Sequence, residues 1–81
     1  MGIELFHRLP DQASARIRKR VIELNLKDRV DFRNIHFDSH AQALSQHGAT
    51  EVPAIWDGSA LHIGEAASLS FLAKLAEEAT R

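Results

Sequence analysis

The spacing of apolar residues along this chain changes several times, and each change marks an element. Ile3-Glu4-Leu5-Phe6-His7 is a short, apolar-rich run that predicts a strand. Leu9-Pro10-Asp11-Gln12 predicts a turn into a helix, because Pro10 and Asp11 suit a helix entrance. Ile17, Val21 and Leu24 then recur at i, i+4 and i+7, with Ile22 alongside and Arg16, Lys19 and Arg20 mostly off the stripe. That spacing predicts an amphipathic helix ending near Asn25-Leu26.

Val30 to Phe37 reads as a second strand whose alternation slips. Val30 and Phe32 share one phase and Ile35 and Phe37 the other, which a bulge or burial on both faces would accommodate. Asp38 or Ser39 is expected to cap a short helix through Leu44, closed by Gly48. Val52 to Trp56 reads as a third strand, with Pro53 near its start, where no ladder bond is lost. Asp57-Gly58 is a hairpin signal, and Ala60 to Ile63 is the returning strand. Leu69, Leu72 and Ala76, with Phe71 and Leu75 beside them, predict a last helix over Glu65–Ala79.

The order βαβαββα requires a right-handed parallel crossover between the first two strands and an antiparallel hairpin at the end. The expected fold class is α/β, a mixed four-stranded sheet with helices on its faces, in one domain over residues 1–81.

Composition narrows function more by exclusion than by assertion. Ten basic and eleven acidic residues give a net charge of −1, so there is no electrostatic footprint for nucleic acid or an anionic membrane. No apolar run is long enough to span a bilayer and no signal-peptide pattern opens the chain, so a cytoplasmic monomer is the expectation. The chain has no cysteine. Thiol redox chemistry, disulfides and cysteine-based metal sites are excluded for it. His36, Asp38 and His40 alternate, but the expected strand end near Phe37 and cap at Asp38-Ser39 break them up, and no metal site is expected. His7, His47 and His62 need no special role, and Trp56 is expected to be partly buried.

Glu51-Val52-Pro53-Ala54-Ile55-Trp56-Asp57-Gly58, followed by His62-Ile63-Gly64-Glu65, resembles the back half of a glutaredoxin. With the element order, the likeness covers nearly the whole chain. It extends to the glutaredoxin branch of the thioredoxin superfamily and to the amino-terminal domain of glutathione transferases. The resemblance implies a thioredoxin-like sheet in the order 2-1-3-4, with helices on both faces. It implies a cis Val52–Pro53 bond, and a glutathione or extended peptide paired like an added strand with the Val52 backbone. Phe6, His7 and Arg8 fill the three places before the family's Cys-x-x-Cys, so Asp11 and Ser14 fall where the sulfurs would be. Arg8 matches the basic residue that receives the glycyl carboxylate. Glu65-Ala66 stands at the helix start that holds the γ-glutamyl group. Here the chain departs from the pattern, since Ala66 and Ala67 lack the hydroxyl or carboxylate of the relatives.

Each matched residue also has a local reading. Asp11 can simply be an N-cap with Ser14 in the first turn; as a general base it would need a raised pKa, which a helix amino terminus opposes. Pro53 can serve only to shape the hairpin entry, Glu65 is a favourable charge in a first helical turn, and Arg8 can be solvated. The implied ligand set is Arg8, Asp11, Ser14, Val52, Pro53, Glu65 and Ala66, with no catalytic residue and no cofactor beyond glutathione as a weak ligand. Three functions compete: a binding module for glutathione-like or extended peptide ligands, a structural or regulatory docking domain, and a thiol-free transferase-like enzyme. Asp11 offers no hydroxyl for a transferase, so the third is the weakest; the sequence does not separate the first two, of which the binding module is the primary expectation.

Overall fold

A computed structural model describes residues 2–79. Its elements are β1 (Ile3–His7), α1 (Gln12–Glu23), β2 (Val30–Asn34), α2 (Asp38–Gln46), β3 (Ala54–Trp56), β4 (Leu61–Ile63) and α3 (Glu65–Ala79). The sheet has the order β2-β1-β3-β4. β1 runs parallel to β2, with Leu5 opposite Phe32, and antiparallel to β3, with Leu5 opposite Ile55. β3 and β4 form the antiparallel hairpin. This is the mixed four-stranded α/β topology that the element order implies.

Successive residues of a strand face opposite sides, and here that alternation builds two cores. Leu5 and Ile55 join Ile17 and Val21 of α1, Val30, and Leu72 and Leu75 of α3 on one face. Phe6 and Ala54 join Leu44 of α2 on the other, with Val52, Trp56 and Leu61 packed around them. Each of these large side chains contributes about 1.5–3 kcal/mol by leaving water.

The first two helices end in the same way. Asn25, at φ 60°, follows α1, and the N–H groups of Asn25 and Leu26 donate to the carbonyls of Ile22 and Val21. Gly48, at φ 103°, follows α2, and the N–H groups of Gly48 and Ala49 donate to Ser45 and Leu44. Both are Schellman closures, which use a left-handed residue to satisfy the last carbonyls.

Several boundaries differ from the sequence expectation. β2 stops at Asn34 rather than Phe37. Ile35 turns away to the α2-side core, and Phe37 is an exposed N-cap residue with no side-chain cap bond. The phase slip is therefore a strand end, not a bulge. Asp38 lies inside α2 rather than capping it. β3 begins at Ala54: the Gly64 N–H donates to the Pro53 carbonyl at 2.8 Å in the β3–β4 register, but Pro53 has no N–H to return the bond; the Val52–Pro53 peptide bond is cis. β4 begins at Leu61, because Asp57 Oδ1 accepts the N–H groups of Ser59 and Ala60, both at 2.8 Å, and draws Ala60 into the loop. In α3 the buried stripe is Ser68, Leu72 and Leu75, while Leu69 is 39% exposed. The Ser68 hydroxyl is buried with no hydrogen-bond partner among the described residues, a local cost to stability.

That corrected stripe separates two substitutions. Leu72→Ala should cost about 2–5 kcal/mol in urea unfolding, and Leu69→Ala under about 1 kcal/mol. Equal losses at the two positions would contradict the orientation of α3.

Candidate functional site

The β1–α1 junction is a compact polar unit. Asp11 is the N-cap of α1, with extended backbone, and its side chain accepts from the Ser14 N–H at 2.7 Å. Ser14 is fully buried, and its Oγ accepts from the Arg8 N–H at 3.3 Å. Ser14, through both hydroxyl and N–H, holds the Asp11 carboxyl below its ordinary range, and the Arg8 and Arg16 guanidinium charges add to the effect. A carboxylate so held is a poor general base. The local reading of Asp11 as a cap is thus the observed one.

The second group stands at the start of α3. Glu65 receives two bonds from Arg16, Nε to Oε2 at 2.6 Å and the terminal nitrogen to Oε1 at 2.9 Å. These bonds hold the Glu65 carboxyl below its ordinary range, partly opposed by the nearby Asp11 charge. This fork engages both oxygens of Glu65, the residue that the resemblance places at the γ-glutamyl site, although an exposed pair of this kind is weak and screened by salt. Arg16 was visible in the sequence only as a cation off the apolar stripe; its partner is 49 residues away. Ala66 is exposed beside Glu65.

Val52 and Pro53 stand at the entry to β3. Pro53 is buried and tied to Gly64, immediately before α3. Among the described residues no group hydrogen-bonds the Val52 backbone, and β3 starts two residues later. The structure therefore joins Arg8, Asp11 and Ser14 by direct bonds and brings Asp11 within the electrostatic reach of Glu65. It ties Val52–Pro53 to the start of α3.

Next to the junction lies a cavity of about 520 Å³, lined by Arg8, Leu9 and Pro10 from the β1–α1 loop and by Asn34, Ile35 and His36 after β2. Of the resemblance set, only Arg8 reaches it. The two loops are held together by the Ile35 N–H donating to the His7 carbonyl at 2.9 Å. Arg18 clamps the first loop: its Nη1 donates to the Arg8 carbonyl at 3.1 Å and lies 3.0 Å from His7 Nδ1. Arginine has only donors, so Nδ1 accepts and the His7 proton sits on Nε2. Burial pushes the His7 imidazole below its ordinary range, and the charges of Arg18 and His40 push the same way. His7 is thus a neutral, structural ring at neutral pH, packed edge-on against Phe32.

The hairpin carries a further polar cluster. His62 Nε2 lies 2.8 Å from Asp57 Oδ2 and its ring stacks on Phe71 at 4.6 Å. The bond from His62, with those from Ala60 and Ser59, holds the Asp57 carboxyl far below its ordinary range. His47 stacks on Trp56 at 3.9 Å, so that ring is covered from within the chain.

No family model, curated protein or solved structure matches this chain. The geometry above carries the functional argument alone.

The Asp11 cap has a pH signature. Its carboxyl is depressed below 3.8 in the folded state, so its stabilisation is present above that value and is lost as pH falls through the folded pKa. Asp11→Ala should cost about 0.5–2 kcal/mol at neutral pH. The gap between variant and parent should close as the pH drops below 3.8. A gap that persists undiminished in acid would show that the Asp11 charge is not what stabilises α1.

Proposed function

We propose that this chain is a binding module of glutaredoxin-like type without thiol chemistry, and that its groove takes an extended ligand with a peptide backbone. The observation that supports this most is the Val52 peptide. Its N–H and C=O have no partner among the described residues, while the adjoining Pro53 carbonyl and the whole of β3 are engaged. Unpaired backbone beside a sheet is the element that strand-like ligands use. Arg8 supplies a cation at one side, and the α3 amino terminus supplies N–H donors at the other.

Glutathione, or a related γ-glutamyl compound, fits this description as a weak ligand. No cysteine can anchor it covalently. Glu65 is engaged by Arg16, and Ala66 and Ala67 offer no side-chain bond in place of charged ones that are each worth about 1.5–3 kcal/mol. Binding should be millimolar rather than micromolar, a difference of about 4 kcal/mol. A transferase-like reaction is the weaker reading, since the group at the helix start is a bonded carboxylate.

Backbone-amide NMR with glutathione tests this. Shifts should appear at residues 51 and 52 and at 64–67, together with the 8–14 loop, and Arg8→Ala should shrink them. Silence in those segments at about 10 mM ligand, well above a millimolar Kd, would remove the groove and leave a docking domain as the function.

A further inference from the structure

β1 and β2 are parallel neighbours, yet the helices that follow them leave in opposite directions. α1 packs over Leu5 on one face and α2 over Phe6 on the other. The two strands stay hydrogen-bonded to their carboxyl ends, where the Ile35 N–H donates to the His7 carbonyl, and the segments beyond them diverge to opposite faces; the space outside the carboxyl ends of strands is where open α/β sheets bind ligands. The cavity of about 520 Å³ lies there, within the range of small-molecule sites.

Its lining is chemically one-sided. Leu9, Pro10 and Ile35 are apolar, and Leu9 is 63% exposed, although it sits beside the cavity of a small domain. Of the polar side chains, Arg8 and Asn34 offer donors, and His36 adds an imidazole. The Arg8 guanidinium hydrogen-bonds no acceptor among the described residues. Asn34 Oδ1 accepts the His36 N–H at 3.0 Å, and the amide nitrogen of Asn34 has no partner among the described residues. No carboxylate is among the lining residues. Asp11, whose carboxyl feels the Arg8 charge, is bonded to Ser14. The loop that carries Arg8 and Leu9 is held from behind by Arg18, through the Arg8 carbonyl, so the cation is presented on a fixed backbone.

We infer that this crevice binds a small amphiphilic carboxylate, with the carboxylate on Arg8 and Asn34 and a compact apolar body against Leu9, Pro10 and Ile35. Guanidinium and carboxylate match as a bidentate pair, and the apolar walls select against an anion that lacks a body to bury. This site goes beyond the Val52 groove and shares only Arg8 with it.

Amide NMR of the whole chain with phenylacetate as the probe tests this. Acetate, inorganic phosphate and the neutral 2-phenylethanol serve as comparisons. Phenylacetate should move the amides of residues 8, 9 and 34–36 and leave 51, 52 and 64–67 still. Each comparison compound should bind about tenfold more weakly or worse, a loss of about 1.4 kcal/mol. Arg8→Gln should weaken phenylacetate by about tenfold. Leu9→Ser should weaken it without changing the phosphate response. Both positions are exposed, and a dispersed spectrum shows that each variant is folded. Equal binding of 2-phenylethanol would reduce the crevice to a sticky apolar surface, and equal binding of phosphate to a plain anion contact. No shift at 34–36 with about 10 mM phenylacetate would overturn the site outright. If glutathione moves 51, 52 and 64–67 while phenylacetate moves nothing, the Val52 groove stands and the crevice falls; the opposite pattern separates them the other way.

Discussion

The structure depends on the alternation of side chains along β1. Leu5 and Phe6 are adjacent, both fully buried, and face opposite sides of the sheet. Leu5 belongs to the larger core with α1 and α3, and Phe6 to the smaller one with α2. β1 also supplies the hydrogen-bonded neighbours of both β2 and β3, in opposite directions. A domain of this size has a small stability margin. Neither core has enough buried side chains to stand apart from the strand they share.

The same strand delivers the candidate site. Directly after Leu5 and Phe6 come His7, buried and neutral, and Arg8, exposed and charged. The change from buried to exposed takes one residue because β1 ends at His7, its last residue paired with β2. Arg18 from α1 bridges that change, lying against the His7 ring and bonding the Arg8 carbonyl. Asp11 and Ser14 do the same from the helix side. The start of α1 is thus a capped helix end. Around it, among the described residues, stand a cation without a hydrogen-bonded acceptor and an apolar-walled crevice.

Element types were legible because they depend on local spacing. The i, i+4, i+7 stripe of Ile17, Val21 and Leu24 marked α1, Gly48 marked the end of α2, and Asp11 marked a cap, all short-range effects. The misreadings came where tertiary placement decided. Ile35 and Phe37 continued a plausible strand pattern, but one turns into the α2-side core and the other caps a helix. Leu69 fits a helical stripe with Leu72 and Ala76, but the face buried on the sheet is that of Ser68, Leu72 and Leu75, which depends on how α3 lies on it. The Arg16–Glu65 fork joins two helices far apart in sequence, and no local pattern announces it. Asn34 and His36 belong to the crevice only because β2 lies beside β1. Their one sequence signal was the slip in alternation between Phe32 and Ile35.

The central claim is that the two cores are coupled through β1, and a perturbation in one should be read in the other. Leu44→Ala removes the α2 side chain that packs on Phe6, and should cost about 2–5 kcal/mol. Native-state hydrogen exchange at the amides of Val21 and Leu72, across the sheet, reports the opening free energy of the other core. The account predicts that their opening free energy falls by the same amount as the global stability. Unchanged exchange at Val21 and Leu72 in a folded Leu44→Ala variant would show that the cores open independently, and would contradict the account.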